Sequence, residues 1–178
     1  MLDLIIKNGS CYIDKDLKDQ DVAIKDGKII EIGKIDNEAK EVFDAKGLTV
    51  LPGCIDTQTH FREPGSTDTE DLHSGSRAAI TGGITSVFEM PNTNPPTSNK
   101  IEFKKKLDLA KNRMYCNYAF YFGATPDNAS ELAELKDLEG CCGIKLFAGS
   151  STGNLLVQYE EDIEKVFKSS SKVVSVHS

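Results

Sequence analysis

The sequence predicts an α/β protein in which a short all-β segment is followed by repeated βα units that build a parallel sheet. Three observations predict it. Up to about residue 52 the apolar runs are short and joined by turns containing Asp and Gly. From Cys54 onward, short apolar runs alternate with longer helical ones. The unusual polar residues fall at the ends of these later strands, where parallel βα architectures carry their working groups.

In the first segment, Leu4 to Ile6 and Cys11 to Ile13 read as short strands. Val22 to Lys25 and Lys28 to Ile32 flank Asp26-Gly27, and Asp-Gly between two such runs predicts a hairpin, because both central turn residues need positive φ. Val42-Phe43 and Leu48 to Leu51 flank a further turn at residues 44–47, so residues 1–52 are expected to form part of a small β-sandwich.

The second segment, residues 53–178, opens with a strand over Cys54 to Thr59 and a helix over Glu70 to Thr81, which Gly82-Gly83 stops. Ile84 to Met90 is the second strand and Asn99 to Asn112 a charged amphipathic helix. Asn117 to Phe122 is the third strand, and Asp127 to Leu138 the next helix, with Asp127 ahead of an Ala/Leu/Glu-rich run. Gly143 to Phe147, a helix over Glu160 to Lys168, and Lys172 to His177 complete the pattern. These units predict five parallel strands of a barrel or of a doubly wound sheet.

Composition excludes several classes. The net charge of -7, with Lys and Arg scattered among acids, argues against a nucleic-acid partner. No run approaches the length of a membrane span and the N-terminus lacks signal-peptide features, so a soluble cytoplasmic protein is expected. The five cysteines form no Cys-x-x-Cys pair, which predicts reduced and mostly buried thiols.

The chemistry concentrates at strand ends. In Gly-Cys-Ile-Asp-Thr-Gln-Thr-His-Phe-Arg-Glu-Pro-Gly, from Gly53 to Gly65, alternation puts Asp56, Gln58 and His60 on one face, with Arg62 just beyond. The second strand runs into Glu-Met-Pro-Asn-Thr-Asn-Pro-Pro, a loop too rich in Pro and Asn for helix. Lys145 lies between Ile144 and Leu146 in the fourth strand. Either it points outward and snorkels to the rim, or burial lowers its pKa and leaves an amine able to react with carbon dioxide. His177 ends the fifth strand, which suits a metal-ligating imidazole. Arg62 and Asn92 together have the chemistry to grip a carboxylate. His73 is expected to be an ordinary helix residue, and Glu63 to belong to turn architecture.

These segments resemble the amidohydrolase superfamily, and within it dihydroorotases. His-Phe-Arg-Glu-Pro-Gly, Phe-Glu-Met-Pro-Asn-Thr-Asn-Pro and Ile-Lys-Leu-Phe-x-Gly-Ser-Ser-Thr-Gly carry the resemblance, in this order. It implies a (β/α)₈ TIM-type barrel of which about strands one to five are present, since a whole barrel takes about 250 residues, with the sixth to eighth strands absent. It also implies that His60, Lys145, His177 and Gln58 hold one or two zinc ions, Lys145 as a carbamate. Gln58 stands where the superfamily's metal strand has its first His, and a carboxamide is a weaker, neutral ligand. Arg62 and Asn92 would bind the substrate carboxylate. The implied reaction is reversible cyclisation of N-carbamoyl-L-aspartate to L-dihydroorotate in pyrimidine biosynthesis, metal ions polarising the amide carbonyl. No catalytic acid or base is expected in this chain: the family's proton-shuttling Asp would lie beyond Ser178, leaving these residues inactive alone. The alternatives are another cyclic-amide hydrolase, such as an allantoinase or dihydropyrimidinase, or a non-catalytic scaffold partnering aspartate carbamoyltransferase. A five-strand piece also predicts homo-oligomeric association through its open edge.

Overall fold

The computed structural model describes residues 1–151 and 153–178, which divide into two compact units, Met1–Pro52 and Gly53–Ser178. Thr152, within the Gly-Ser-Ser-Thr-Gly run, lies outside the described residues.

The first unit is a small β domain made of one mixed sheet. Its strands are β1 (Leu2–Ile13), β2 (Asp16–Lys25), β3 (Lys28–Gly33), β4 (Ala39–Asp44) and β5 (Thr49–Val50). They run in the order β3-β2-β1-β4, with β5 also on β1. The Asp26-Gly27 hairpin forms with φ of 51° and 70°, as its turn type requires. Two differences from the sequence expectation stand out. Leu4 to Ile6 and Cys11 to Ile13 belong to one strand, irregular between Ile6 and Gly9, where Asn8 takes φ 60°. Side-chain bonds hold that kink: the Asn8 amide donates to Asp21 Oδ1 at 3.0 Å, and Asn8 Nδ2 donates to Asp44 Oδ1 at 2.9 Å. The β1–β2 turn, Asp14-Lys15, also has positive φ at both positions, without a glycine to announce it. A small core of Leu2, Ile5, Ala23 and Ile35 lies beneath this sheet.

The second unit is five strands of a (β/α)₈ barrel. Strands β6 (Cys54–Thr59), β7 (Ile84–Glu89), β8 (Asn117–Gly123), β9 (Cys141–Phe147) and β10 (Val174–His177) pair in parallel in chain order. A doubly wound sheet reverses its strand order at a switch point. This sheet has no reversal among its described strands, which resolves the sequence alternative in favour of a barrel. Helices α1 (Leu72–Thr81), α2 (Lys100–Ala110), α3 (Ala129–Leu132) and α4 (Glu160–Ser169) follow successive strands. The core forms where alternate strand residues, Val87, Phe120, Phe122, Ile144 and Leu146, meet Leu72, Phe103, Leu132 and Val166 of the helices. Truncating a fully buried aromatic such as Phe103 would cost about 3–5 kcal/mol.

Helix starts follow the capping chemistry. Helix α1 begins two residues later than expected, because Asp71 and Ser74 form a reciprocal capping box there. Helix α2 begins after Asn99, whose side chain accepts the Glu102 amide at 2.9 Å. The helix expected over Asp127 to Leu138 is shorter: α3 gives way to a 3₁₀ turn at Ala133–Leu135. The residue in its cap position, Asn128, is committed elsewhere. Its Oδ1 accepts from the Thr125 amide, and its Nδ2 donates to the carbonyls of Ser98 and Gly123, each at 2.9 Å. That side chain ties the loop after β8 to the loop after β7, and leaves α3 without a side-chain cap.

Candidate functional site

The carboxyl ends of the barrel strands converge on a cavity of about 360 Å³ lined by Gln58, His60, Asn92, Lys145, Phe147, Ser150, Ser151 and His177. Gln58 lies in β6 and His60 directly after it, Asn92 follows β7, Lys145 lies in β9, and His177 is the last residue of β10. All four residues singled out as metal ligands therefore border one space. Asp56 does not line it; its Oδ1 accepts the Gln58 amide at 2.9 Å.

His60 is half-buried, and its Nδ1 lies 2.9 Å from Asn92 Oδ1. A carboxamide oxygen only accepts, so the ring proton resides on Nδ1 and the Nε2 lone pair is left for another partner. Burial is the main cause holding the His60 pKa below the usual imidazole range; the Asn92 hydrogen bond opposes it, and the nearby cations Arg62, Lys145 and Lys106 reinforce it. The residue therefore favours its neutral form, the form that binds metals.

Lys145 is 2% exposed. Strand β10 runs alongside, pairing Ser175 with Lys145, and Lys145 Nζ reaches Ser175 Oγ at a long 3.5 Å. The Phe147 ring lies beneath it, 5.3 Å from Nζ to the centroid. Among the described residues no carboxylate forms a salt bridge with this amine, and burial lowers its pKa. The outward-pointing alternative for Lys145 is thereby excluded. His177 is exposed, its ring 5.8 Å from that of Phe147.

This donor set can be tested against a divalent metal. Among the described residues no three His, Cys, Asp or Glu side chains converge as a metal cluster. What converges is a pair of imidazoles, a carboxamide and an amine without a counter-charge. The set lacks an anionic oxygen, and a carbamate on Lys145 would supply one. Ser151 Oγ, on the wall of the same cavity, is buried without a hydrogen-bond partner among the described residues. A buried under-satisfied amine and an orphaned hydroxyl fit a site built to take an added polar group.

A second cavity, of about 350 Å³, shares Asn92 with the first and is otherwise lined by Arg62, Pro64, Ser66, Thr93, Asn94, Pro96 and Gly153. The structure thus brings Arg62 and Asn92 to one space, but the Asn92 oxygen is committed to His60. The loops after β6 and β7 are laced together here. The Asn94 amide donates to the Pro64 carbonyl at 2.9 Å. Gly65, at φ 123°, packs so closely that an added Cβ would lie 3.0 Å from Asn94 Cβ.

The sequence reading missed the charges beneath these loops. Glu63 is buried: it takes two bonds from the Arg113 guanidinium, at 2.8 and 3.1 Å, and accepts the Leu72 amide at the start of α1 at 2.8 Å. It is therefore a helix cap and an ion-pair partner, beyond its place in the turn. Glu89 and Lys106 form an ion pair in which neither side chain is more than 1% exposed. Signals for this pair existed. Glu89 alternates with core residue Val87, and Lys106 sits at helical spacing between Phe103 and Ala110 on the buried stripe of α2. Burial pushes the Glu89 pKa up to about 7 and lowers that of Lys106.

Comparison with known proteins agrees with this architecture. The model of the amidohydrolase family matches residues 49–176. An allantoinase of Escherichia coli O1:K1 is 41% identical over 149 residues, covering 83% of this chain and 33% of the relative. The chain thus spans about a third of the length of the curated relatives it matches. Among solved structures, the L-hydantoinase (dihydropyrimidinase) of Arthrobacter aurescens superposes with a TM-score of 0.89 at 29% identity, covering 99% of this chain and 41% of that one. The dihydropyrimidinase of Brevibacillus agri NCHU1002 gives 0.84 at 26% identity, covering 99% and 40%. These relatives fall with the allantoinase and dihydropyrimidinase alternative rather than with dihydroorotase specifically.

Proposed function

The chain belongs to the amidohydrolase family, and on that premise we propose that it forms the metal-holding part of a hydrolase that opens cyclic amides, of the allantoinase and dihydropyrimidinase kind. One observation carries the reading: a fully buried lysine without an acidic partner among the described residues lines the same cavity as two histidines.

An ammonium buried there loses its hydration without compensation, so the neutral amine is favoured. A neutral amine adds to carbon dioxide: its nitrogen forms the new bond to carbon, one N–H proton leaves to solvent, and Lys145 ends as an anionic carbamate. His60 would offer Nε2, with Nδ1–H held by Asn92, and His177 and Gln58 would complete the set. A divalent metal bound there supplies Lewis acidity toward a ring carbonyl and lowers the pKa of water. The remaining work falls to the chain's own groups. Asn92 fixes the His60 tautomer, and Phe147 shields the Lys145 side of the cavity from water. Arg62 and the Asn92 amide group receive the polar substituent of the ring from the adjoining cavity.

The narrower reading, dihydroorotase, draws support from Arg62 itself, a guanidinium suited to a ring carboxylate. The relatives weigh against it as the first choice. The discriminating experiment assays ring opening of allantoin, hydantoin, dihydrouracil and L-dihydroorotate by the whole protein carrying this chain, loaded with zinc. Turnover of a ring without a carboxylate is expected. Turnover confined to L-dihydroorotate would select the narrower reading. Inactivity of a folded, metal-loaded preparation on all four would reject the hydrolase and favour a scaffold.

A further inference from the structure

We propose that the buried Glu89–Lys106 pair is a positioning device for His60, clamping from below the two loops that carry His60 and Asn92. The proposal rests on the reading that His60 holds a metal. It starts from where the two side chains meet the backbone. Lys106 Nζ donates to the Met90 carbonyl at 3.0 Å, two residues before Asn92. Glu89 itself pairs across the sheet with Thr59, one residue before His60. Between them, the Met90 amide donates to the Thr59 carbonyl at 2.9 Å, closing the last rung of the β6–β7 pairing.

One ion pair therefore lies at the rung that joins both chain segments just as they leave the sheet, and the hydrogen bond between His60 Nδ1 and Asn92 Oδ1 joins the same two segments one and two residues further on. The angle at which an imidazole presents its free nitrogen depends on the loops on both sides of this hydrogen bond. If either loop relaxes, the Asn92 contact lengthens, the ring exchanges tautomers, and the fraction of His60 with a free Nε2 falls.

Stability alone is a poor reason for such a pair. Desolvating two charges costs as much as their attraction returns, and apolar residues of similar volume would fill the space between sheet and α2 equally well. Lys106 instead lies 5.3 Å from the Phe120 ring centroid, with its head turned to a backbone carbonyl of the site loop.

The experiment uses the whole protein carrying this chain and compares wild type with Glu89→Gln/Lys106→Met and with His60→Ala. The double variant keeps the shape of the pair and removes both charges together, so no orphaned ion remains. Two readouts are taken: zinc affinity by chelator competition, and the ¹⁵N shifts of the His60 ring in metal-free protein, assigned by their loss in His60→Ala. The double variant is expected to stay folded, to lose about tenfold in zinc affinity, and to move the His60 nitrogens from a fixed Nδ1–H tautomer toward an averaged mixture. A folded double variant with unchanged affinity and ring shifts overturns the proposal. A double variant that cannot fold also overturns it, by making the pair a determinant of the fold instead of the site. If His60→Ala itself leaves zinc affinity intact, the metal reading of His60 fails separately, and the ring shifts still decide whether the pair orients the imidazole.

Discussion

Replacing Lys145 with Met should stabilise the metal-free protein while abolishing its metal binding. The side chain is 2% exposed, and its one hydrogen-bond contact among the described residues, to Ser175 Oγ, is a long 3.5 Å. Burying a polar group without a compensating hydrogen bond costs about 1–3 kcal/mol in mutational data. The Phe147 ring face returns little of that, because its attraction is for a cation and burial favours the neutral amine. Met keeps the unbranched stem and the volume, makes its own favourable sulfur–ring contact, and carries no donor to satisfy. The expected net gain is about 1 kcal/mol, or roughly 2–4 °C in Tm for a domain of this size. The assay is chemical denaturation of Lys145→Met and wild type in chelator and carbon dioxide-free buffer, followed by zinc titration of both. A stabilised variant with zinc binding lost supports a lysine kept for chemistry at the expense of stability. A destabilised metal-free variant would mean that Lys145 has a structural partner, and unimpaired zinc binding would remove it from the ligand set.

Further outcomes are expected elsewhere. Gly65→Ala should destabilise by about 2–4 kcal/mol, because φ 123° strains an alanine and its Cβ would crowd Asn94; urea denaturation measures it, and an unchanged midpoint would show that the two loops are not locked together. Glu63→Ala should cost about 2 kcal/mol, less than a fully buried pair because Arg113 keeps 36% of its side chain in solvent; a loss below 0.5 kcal/mol in the same assay would show the cap and ion pair to be idle. Glu89 should give stability an inverse pH dependence relative to Glu89→Gln. Burial holds a proton on its carboxyl in the folded state up to about pH 7, above which the pair with Lys106 carries both charges, whereas the unfolded chain releases that proton at about 4.3. Between those values the native state binds more protons, so the wild type loses stability relative to the variant as pH rises through that window, and the difference levels off above it. Denaturation at pH 5 and pH 8 checks the sign; a difference that grows with pH would contradict it.

The βα rhythm, the start of the second helix at Asn99, the Asp26-Gly27 turn and the strand positions of His60, Lys145 and His177 were all legible in the chain. Each is set by local chemistry: periodicity, a side chain bonding its own backbone within three residues, or the tolerance of positive φ. The choice among ring substrates was not legible. The motifs of the metal strand and its turn describe machinery held in common across cyclic-amide hydrolases, and Arg62 suits any anionic or polar ring substituent.

Tertiary structure alone decided the rest, through contacts between segments remote in sequence. Asn128 looked like part of a helix start, yet its side chain bonds three backbone groups in two loops and leaves α3 without a side-chain cap. Asn92 looked like a free substrate clamp, yet its oxygen holds a ring 32 residues away. Glu89 read as the first residue of the polar loop that ends the second strand, and Lys106 as one charge on an amphipathic helix, until the meeting of α2 and β7 brought them face to face and removed both from water. Local sequence fixes which way a side chain points along its own strand or helix. What it points at, and so its solvation and its protonation state, depends on the element that packs against it.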